Sequence, residues 1–501
     1  MRFVSNRNGW GIAALLVVSC GLAAWAVAPS AARKFTLIYN VNNAGYIDVC
    51  GCKHKEVRQG SITRRASFLK QIRATGRDLL LLDGGSSFFP VDERVKDTER
   101  AEAIRKAELI VEAYNRMGYR AMAVGSSDIA AGIDTLKALE KKAKFTFLSA
   151  NFFENAESSD HKLIFTPHII IEIGGLRVGI LGLTLNTMSR AYLAKAAPNT
   201  MVGDPIEAAQ KSLAELKGKT DLVIALSHIR EETNFELIEK LKELEIVVDP
   251  CIQYGNHHTW LKDEAEWLVV KDGTMVFRSD GQGARMGVVD IELVEPRGKL
   301  VSADRLHQLD EAVKAGTAKP EEVAELEAGR GKNQFSLTRV SLEPHHRTDP
   351  EMDMLIEEWK KKIDPSTVAR LEEQLPKRGE FLTVEKCGGC HQKVLAFWKE
   401  TKHSHAWASL EETSDQHRFD CVGCHSLGYG QAFLDTSKVG AYANVQCESC
   451  HGTNPKHAEE PAKNHFSRVS KVDCIVCHNK EQTREEFNFA QARAKIQCPK
   501  G

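Results

Sequence analysis

Short apolar runs alternate with amphipathic stretches from Phe35 to about Val294. The runs FTLIY (35–39) and LLLL (79–82) predict buried strands, and ITRRASFLKQIRA (62–74) predicts a helix because its apolar residues recur at helical spacing. Alternating strands and helices are typical of an α/β layered fold, and the later runs that predict only strands favour a mixed sheet or two packed sheets.

The pattern changes after about Lys299, where the apolar strands stop and charged helical stretches follow. Pro320 stands at an expected first-turn position of one of these helices. We expect a helical connector that serves as a solvated spacer, with a dimerising arm as the alternative. The predicted segments are a signal peptide or membrane anchor (1–33), an α/β region (34–298), the helical connector (299–380) and a C-terminal domain (381–501).

The N-terminus has the composition of an export signal, since Arg2 and Arg7 lead into the uncharged run 9–28. Three outcomes fit this segment: cleavage after Ala32, retention as an anchor in the inner membrane, or processing at Cys20 as in bacterial lipoproteins. All three place the bulk of the chain outside the cytoplasm, so we expect a periplasmic or otherwise extracytoplasmic protein.

The overall charge is balanced, with 67 basic and 68 acidic residues, so no global field favours nucleic acid as a partner. Cysteine and histidine, in contrast, are distributed unevenly. Nine of the 13 cysteines fall between Cys387 and Cys498, and nine of the 18 histidines between His391 and His478. The C-terminal domain is therefore chemically distinct from the rest.

Four Cys-x-x-Cys-His motifs account for most of this concentration. The motif attaches haem c covalently, because its two thiols add to the haem vinyl groups and its histidine becomes the proximal iron ligand. A zinc site or a disulfide framework explains less well why a histidine follows every second cysteine. The predicted attachment residues are Cys387, Cys390, Cys421, Cys424, Cys447, Cys450, Cys474 and Cys477, and the predicted proximal ligands are His391, His425, His451 and His478.

Other histidines in the same segment supply candidates for the distal iron ligands. Four haems need four such ligands, and five histidines are present, so one open iron also remains compatible with the sequence. Because the segment has few apolar runs, the haems are expected to form much of its core. The distal candidates are His403, His405, His417, His457 and His465.

The segments HSHAWASL, CHSLGYG and VQCESCHGTNPKH resemble the tetrahaem cytochromes c that carry electrons away from hydroxylamine oxidation. The resemblance covers about 381–480. It implies closely stacked haems, fast electron transfer, and distal ligation by His405 and His457. For His403 it leaves both a ligand role and a surface position open.

The α/β region has its own resemblance, carried by VNNAGYIDVCGC, LLLDGGSSFFP, AVGSSDIAAG, GLRVGILGLT and LVIALSHIREE. In this order the segments are similar to the 5′-nucleotidase branch of the calcineurin-like metallophosphoesterases, over about 35–294. The resemblance implies a metallophosphoesterase-like layered α/β sandwich, followed here by the helical connector and a mostly helical, haem-packed multihaem cytochrome c domain.

Most metal-ligand positions of that family carry other residues in this chain, and only His228 matches a ligand. Two metal ions need several anionic oxygens, which asparagine, alanine and serine do not provide. We therefore expect no ordinary phosphate-ester hydrolysis, and interpret His228 as a remnant satisfied by hydrogen bonds. The substituted positions are Asn42, Ala44, Ser86, Ser126, Ser127, Cys251 and Gln253.

Cysteines near the same loops raise a separate hypothesis. A thiolate–histidine site would favour zinc. The alternative, which we favour, is a disulfide between Cys251 and one of the other two cysteines, as is usual in exported domains. The sequence leaves the pairing of Cys498 open. The residues of this possible site are Cys50, Cys52, Cys251, His228, and His257 or His258.

These observations predict an exported electron-transfer cytochrome with four haems c, whose phosphoesterase-like region is a scaffold or docking module. Its partners would be redox proteins. One alternative is a 5′-nucleotidase-like enzyme fused to a cytochrome. Another is a multihaem oxidoreductase that acts on a small nitrogen or sulfur compound at an open haem. The missing metal ligands favour a carrier over a hydrolase.

Overall fold

The structure of the protein is a computed structural model, and its N-terminal and C-terminal regions are described in turn. Placed residues are 33–47, 49–50, 59–90, 95, 100–154, 161–252, 267–279, 281, 283–343, 345–361, 381–413, 415–416, 419–466, 468–478 and 487–499. The predicted export segment 1–32 lies outside these residues. Within them, no helix has the length and apolar character needed to cross a bilayer.

The N-terminal region has seventeen strands among its described residues. The strands are β1 (Arg33–Asn40), β2 (Val49–Cys50), β3 (Gln59–Gly60), β4 (Leu79–Asp83), β5 (Ala121–Ala123), β6 (Thr146–Leu148), β7 (Phe152–Glu154), β8 (His168–Ile173), β9 (Leu176–Thr184), β10 (Thr200–Val202), β11 (Leu222–His228), β12 (Ile246–Asp249), β13 (Leu268–Lys271), β14 (Thr274–Arg278), β15 (Arg285–Leu293), β16 (Leu300–Ser302) and β17 (Asn333–Ser341).

Helices cover the outer faces of these sheets. They are α1 (Ile62–Ala74), α2 (Arg100–Met117), α3 (Ile133–Glu140), α4 (Arg190–Ala196), α5 (Pro205–Leu216), α6 (Glu231–Lys240), α7 (Ala303–Lys314), α8 (Pro320–Gly329) and α9 (Pro350–Lys361). Helix α1 has the predicted bounds. It begins where the Ser61 hydroxyl accepts a hydrogen bond from the Thr63 amide (3.2 Å), and Gly76 follows its end with a φ of 76°.

Two large mixed sheets form the centre of this region. One has the strand order β16-β17-β15-β1-β4-β5-β6, and the other β13-β14-β12-β11-β9-β8. In the first, β1 runs parallel to β4 and antiparallel to β15; in the second, β11 runs parallel to both β9 and β12. Apolar residues from both sheets, among them Leu37, Leu80, Val178 and Ile224, form a common buried cluster between them. The expected α/β sandwich is therefore present.

Part of the segment expected to be a helical connector belongs to this sandwich. The predicted helices are present, but β17 pairs antiparallel with β15 along the register Glu292 to Gln334, and β16 extends the same sheet. Helix α9 packs on α1 and α2, and its Ile356 and Trp359 join the core. The alternation of β17 is weak in the sequence, because most of its residues are polar and only Asn333 and Phe335 are fully buried.

The C-terminal region consists of short helices and turns. The helices are α10 (Thr383–Cys390), α11 (Gln392–Lys399), α12 (Ala406–Glu411), α13 (Phe419–His425), α14 (Cys447–His451), α15 (Lys471–Ile475) and α16 (Phe489–Ile496), with 3₁₀ turns that include Lys402–His405 and Pro455–Ala458. Its described residues contain one small buried apolar cluster, formed by Trp407, Leu410, Val422 and Phe433. This helical content agrees with the prediction for the region.

Candidate functional site

The loops that follow β1, β4 and β12 meet at one edge of the N-terminal sandwich. The Asn42 amide donates to the Gly85 carbonyl (2.9 Å), and the Ala44 amide donates to the Ser86 carbonyl (2.9 Å). The Asn42 side chain also donates to the Pro250 carbonyl (3.3 Å). The positions that correspond to metal ligands in the resembled family are therefore brought together, as the resemblance implied.

Ser86 and His228 interact directly where that family has a bridging carboxylate. The Ser86 Oγ lies 3.0 Å from His228 Nε2, while His228 Nδ1 lies 3.1 Å from the Gly84 carbonyl oxygen. Since a carbonyl can only accept, Nδ1 carries a proton, and in the neutral tautomer Nε2 accepts from the serine. Both residues are fully buried. Both ring nitrogens of His228 are thus engaged by protein atoms.

Asp128 holds the turn that carries Ser86. Its carboxylate accepts hydrogen bonds from the backbone amides of Ser86 (2.8 Å), Ser87 (2.7 Å), Phe88 (3.1 Å) and Gly125 (2.9 Å). Burial raises the pKa of Asp128 to about 7, and these amides oppose that shift. The hydrogen-bonding capacity of the Asp128 carboxylate is consequently taken up by backbone amides.

A second buried carboxylate, Asp83, is linked to the buried guanidinium of Arg65 through the Tyr114 hydroxyl. Tyr114 donates to Asp83 Oδ2 (2.7 Å) and accepts from Arg65 Nη1 (3.2 Å), and Asn40 also donates to Asp83 (2.6 Å). Arg65 further donates to the Asn43 side chain (2.8 Å). Burial raises the pKa of Asp83, whereas its hydroxyl partners and the Arg65 charge lower it. A guanidinium thus supplies positive charge beside this edge.

Backbone strain is concentrated in the same loops. Asn42, Ala44, Ser86 and Cys251 have φ values of 50°, 51°, 56° and 55°, which non-glycine residues seldom adopt. Such conformations persist where the surrounding structure fixes them. The loops therefore keep a tightly specified shape even though most ligand side chains of the resembled family are replaced.

The residues at this edge do not fit a two-metal centre. Serine, asparagine and alanine offer too little negative charge, and the nearby Asp128 and His228 already bond to protein groups. Among the described residues, no group of three or more histidine, cysteine or acidic side chains is arranged to hold a metal ion.

The proposed thiolate site remains a prediction. Cys251 is buried, and its amide donates to Asp249 (2.9 Å), which accepts from Arg278 (3.0 Å). The Cys50 side chain and the residues Cys52, His257 and His258 lie outside the part of the chain that the structure describes. Gln253 also lies outside it.

In the C-terminal region, two motif histidines each lie close to a histidine from outside the motifs. The ring centres of His391 and His457 are 6.2 Å apart with planes at 14°, and those of His403 and His478 are 6.2 Å apart with planes at 43°. An ion bound by two imidazoles, with bonds of about 2.0 Å, separates the ring centres by about 6.3 Å. Each pair joins a motif histidine to a distal candidate, so the donor set fits a haem iron held between two imidazoles.

Backbone carbonyls orient several of these histidines. His457 Nδ1 donates to the Asn464 carbonyl (2.6 Å), and His425 Nδ1 donates to the Ala406 carbonyl (2.6 Å). His405 Nδ1 lies 3.2 Å from the Thr401 carbonyl oxygen. A carbonyl bonded to Nδ1 leaves Nε2 for iron and fixes the ring orientation, as is usual for metal-bound histidine. Burial lowers the pKa of His403, which favours the neutral form that ligates.

The first and third motifs are direct neighbours. The amides that begin α10 donate to the third motif's segment: Thr383 to Glu448 Oε2 (3.2 Å) and Val384 to Gln446 Oε1 (2.7 Å). Helix α10, which carries the first motif, also contacts α14 of the third motif. Two attachment sites therefore share one interface.

The other motifs extend this contact. Helix α14 of the third motif touches α15 of the fourth. The side chains of Cys424 and Cys477 lie close together, so the second and fourth motifs are neighbours too. These contacts connect the first motif to the third, the third to the fourth, and the fourth to the second.

Comparison with known proteins gives separate matches for the two regions. Residues 386–452 match the model of the family described as cytochrome c554 and c-prime. The chain is 32% identical to the 5′-nucleotidase of Vibrio cholerae over 167 residues (33% of this chain, 28% of the relative) and 30% identical to that of Bos taurus over 210 residues (40% and 33%). The chain resembles two families, one in each region.

Solved structures with related folds include a 5′-nucleotidase precursor from Thermus thermophilus (TM-score 0.48, 19% identity, covering 66% of this chain and 58% of that chain) and the calcineurin-like phosphoesterase YfkN from Bacillus subtilis (0.48, 15%, 66% and 97%). The chain spans about a third of the length of the curated 5′-nucleotidases named above. The sequence matches of the two regions confirm both family resemblances expected from the sequence.

Not every expected haem-site residue is placed in a pair. His465 is exposed, and its carbonyl accepts from Asn454 (3.3 Å). His417 lies outside the described residues, and Cys498 is exposed. For His405, distal ligation stays a prediction supported by the orientation of its ring.

Several supporting residues escaped the sequence reasoning. Arg65, Glu448, Gln446 and Phe466 interact with partners far along the chain. The one signal in the sequence was the position of Glu448 inside a haem motif. In the structure this residue is buried, and a buried carboxylate needs a partner. Nothing in the local sequence singled out Arg65, which lies on an ordinary amphipathic helix.

Proposed function

We propose that the protein is an exported multihaem c-type cytochrome that transfers electrons through four covalently bound haems c. The proposal is carried by two pairs of histidine rings, His391 with His457 and His403 with His478. In each pair the ring centres are as far apart as those of two axial imidazoles on one iron would be. Haem supplies reversible one-electron chemistry, and histidine on both sides favours electron transfer over substrate binding at the metal.

The adjacency of the motifs supports a route for the electrons. Because the motifs neighbour one another in the order first, third, fourth, second, we infer that electrons pass in this spatial order and not in sequence order. The second motif lies at one end of the series, and the first at the other. Each end would exchange electrons with a separate redox partner protein.

For the N-terminal region we propose a role as scaffold or docking module. Its ligand positions are filled by Asn42, Ala44 and Ser86, and the former metal edge is closed by protein hydrogen bonds. Such a region offers a rigid surface without hydrolytic chemistry. The apolar segment 9–28 supports export to the periplasm, in soluble form or anchored to the inner membrane.

Spectroscopy of the intact protein tests the proposal. The oxidised protein should show low-spin signals in paramagnetic resonance, and reductive titration should take up four electrons per chain. Replacing His457 with Ala should convert one haem to high spin and allow it to bind carbon monoxide, because its iron loses one axial imidazole.

Lys456→Ala is the matched control, since the neighbouring Lys456 is exposed in the same turn. It should leave all signals unchanged. A protein that takes up no electrons, or whose His457→Ala variant keeps every low-spin haem, would refute the assignment.

A further inference from the structure

A closed loop carries the distal histidine of the first motif's site. Asn454 donates to the His465 carbonyl (3.3 Å), and the Asn464 side chain donates to the carbonyls of Lys456 (3.4 Å) and Glu460 (3.1 Å). The two asparagines therefore close the segment between them. His457 is held inside this loop by its bond to the Asn464 carbonyl.

Phe466 leaves this loop and touches two histidines that belong to different motifs. Its ring centre lies 4.8 Å from that of His457, with planes at 57°. It lies 6.2 Å from that of His451, in an edge-on arrangement at 66°. Both separations are within the range in which aromatic rings interact favourably in tilted geometries.

The two histidines serve different sites. His457 faces His391 of the first motif, whereas His451 closes the third motif. The first and third motifs also contact each other through Thr383 and Glu448. Phe466 is thus a half-buried apolar bridge between axial ligand positions at two adjacent sites.

We propose that Phe466 is a positioning residue that sets the ring orientations of His457 and His451 and thereby couples the electronic properties of the haems at the first and third motifs. The proposal rests on the proposed electron-transfer function. Groups packed around a metal-bound imidazole fix its rotation and its access to solvent, which tune spin-state signals and potential. A single side chain against both imidazoles should change both haems together.

Phe487 provides an internal control. Its ring stacks on His478 of the fourth motif at 5.1 Å and 13°. Phe466→Leu and Phe487→Leu remove the same aromatic ring and retain apolar volume. We expect the first to shift the paramagnetic resonance signals and midpoint potentials of two haems, and the second to shift those of one. Phe466→Tyr, which keeps the ring, should restore the signals of the unmodified protein.

The unmodified protein supplies a measurement that does not depend on any variant. Ring protons of Phe466 should show paramagnetic shifts and nuclear Overhauser contacts to axial imidazoles of two different haems. Contacts to one haem alone would overturn the proposal. So would a Phe466→Leu protein with four haems by mass in which one haem, or none, changes. Failure of the underlying function would be seen separately, because the unmodified protein would then lack the signals of four haems.

Discussion

The two regions of this chain differ in how much apolar core they have and in whether metal-ligand residues are present at the positions that their resembled families use. The N-terminal sandwich has extensive apolar clusters on both sides of its sheets, and its former metal edge is occupied by protein groups. The described C-terminal residues have one small cluster, while Val472, just before the fourth motif, and Val476, inside it, are 66% and 69% exposed. The first region supplies its own apolar interior, whereas the described residues of the second supply little, and we propose that haems fill it.

This difference indicates when the ligand side chains of a metal site can be replaced without loss of the fold. Metal ligands at loop ends can be replaced when hydrogen bonds and an internal cation hold the loops, as Asp128 and Arg65 do. If haems fill the C-terminal interior, as we propose, its histidines and cysteines cannot be replaced in this way, because little apolar core would remain without the cofactor.

The most severe test is to produce the protein without haem attachment, in cells that lack the haem-ligation machinery. The mature protein should carry the mass of four haems and keep its haem stain after denaturation. In the protein without haem, limited proteolysis should cut within 381–499 and leave the sandwich intact, because only the sandwich has a sufficient core. The mature protein at the same protease dose is the control. A protected C-terminal region without haem would remove the contrast between the two regions.

The internal cation of the sandwich can be removed with Arg65→Met. Asp83 would keep its buried charge without the nearby guanidinium, so we expect a loss of unfolding free energy of about 3–5 kcal/mol. Denaturant unfolding measures it, and the haem spectrum should not change. Lys142→Met breaks an exposed pair with Glu108 and should cost less than about 1 kcal/mol. Equal losses in the two variants would mean that Arg65 has no special role.

In the C-terminal region, His403→Ala and His405→Ala compare two histidines two residues apart. The ring of His403 faces His478, so its loss should make the haem at the fourth motif high-spin. The resemblance implies that His405 ligates a different haem, so its variant should change a different signal. Paramagnetic resonance of both variants checks this. If His403→Ala keeps all four haem signals, the pairing with His478 is wrong.

A smaller effect is expected from acid titration of the sandwich. Burial raises the pKa of Glu245 to about 7, against the opposing influence of Arg297 and the Val223 amide. A carboxyl with a raised folded-state pKa stabilises the fold below its unfolded pKa of about 4.3, and this stability is lost as pH rises through 7. Glu245→Gln should therefore flatten the decline between pH 4.5 and 7 by roughly 1–3 kcal/mol.

Denaturant unfolding at the two pH values measures the decline. Glu292→Gln is the control, because Glu292 pairs with Lys34 at an exposed position. An unchanged slope in Glu245→Gln would exclude this carboxyl as the source.

The smallest expected effect concerns added metal. Chelation by EDTA should not change the melting temperature of the sandwich, and manganese or zinc should not produce turnover of nucleotides or nitrophenyl esters. The reason is that Asn42 and Ser86 stand where the resembled family has carboxylate ligands, and Ser127 where it has a histidine. Turnover of roughly 1 s⁻¹ or more that is lost in His228→Ala would show that this edge is catalytic.

Much of the fold was predictable because its patterns are local. Helix α1 has the predicted bounds, and the strands around 35–39 and 79–82 are present. Strand β17 was missed, since a mostly polar strand with only two fully buried residues gives a weak alternating signal. The boundary placed at 298 depended on that strand, because its pairing with β15 extends the sandwich to α9.

The sequence by itself predicts haem attachment, and it shows that other residues stand at most metal-ligand positions of the resembled phosphoesterase family. Two thiols and a histidine within five residues define an attachment site locally, and a serine at position 86 cannot act as a bridging carboxylate in any fold. Only the tertiary structure decided that His403 faces His478 and that His457 faces His391. Distal ligands come from segments far along the chain, and which segments meet depends on the packing of the whole region.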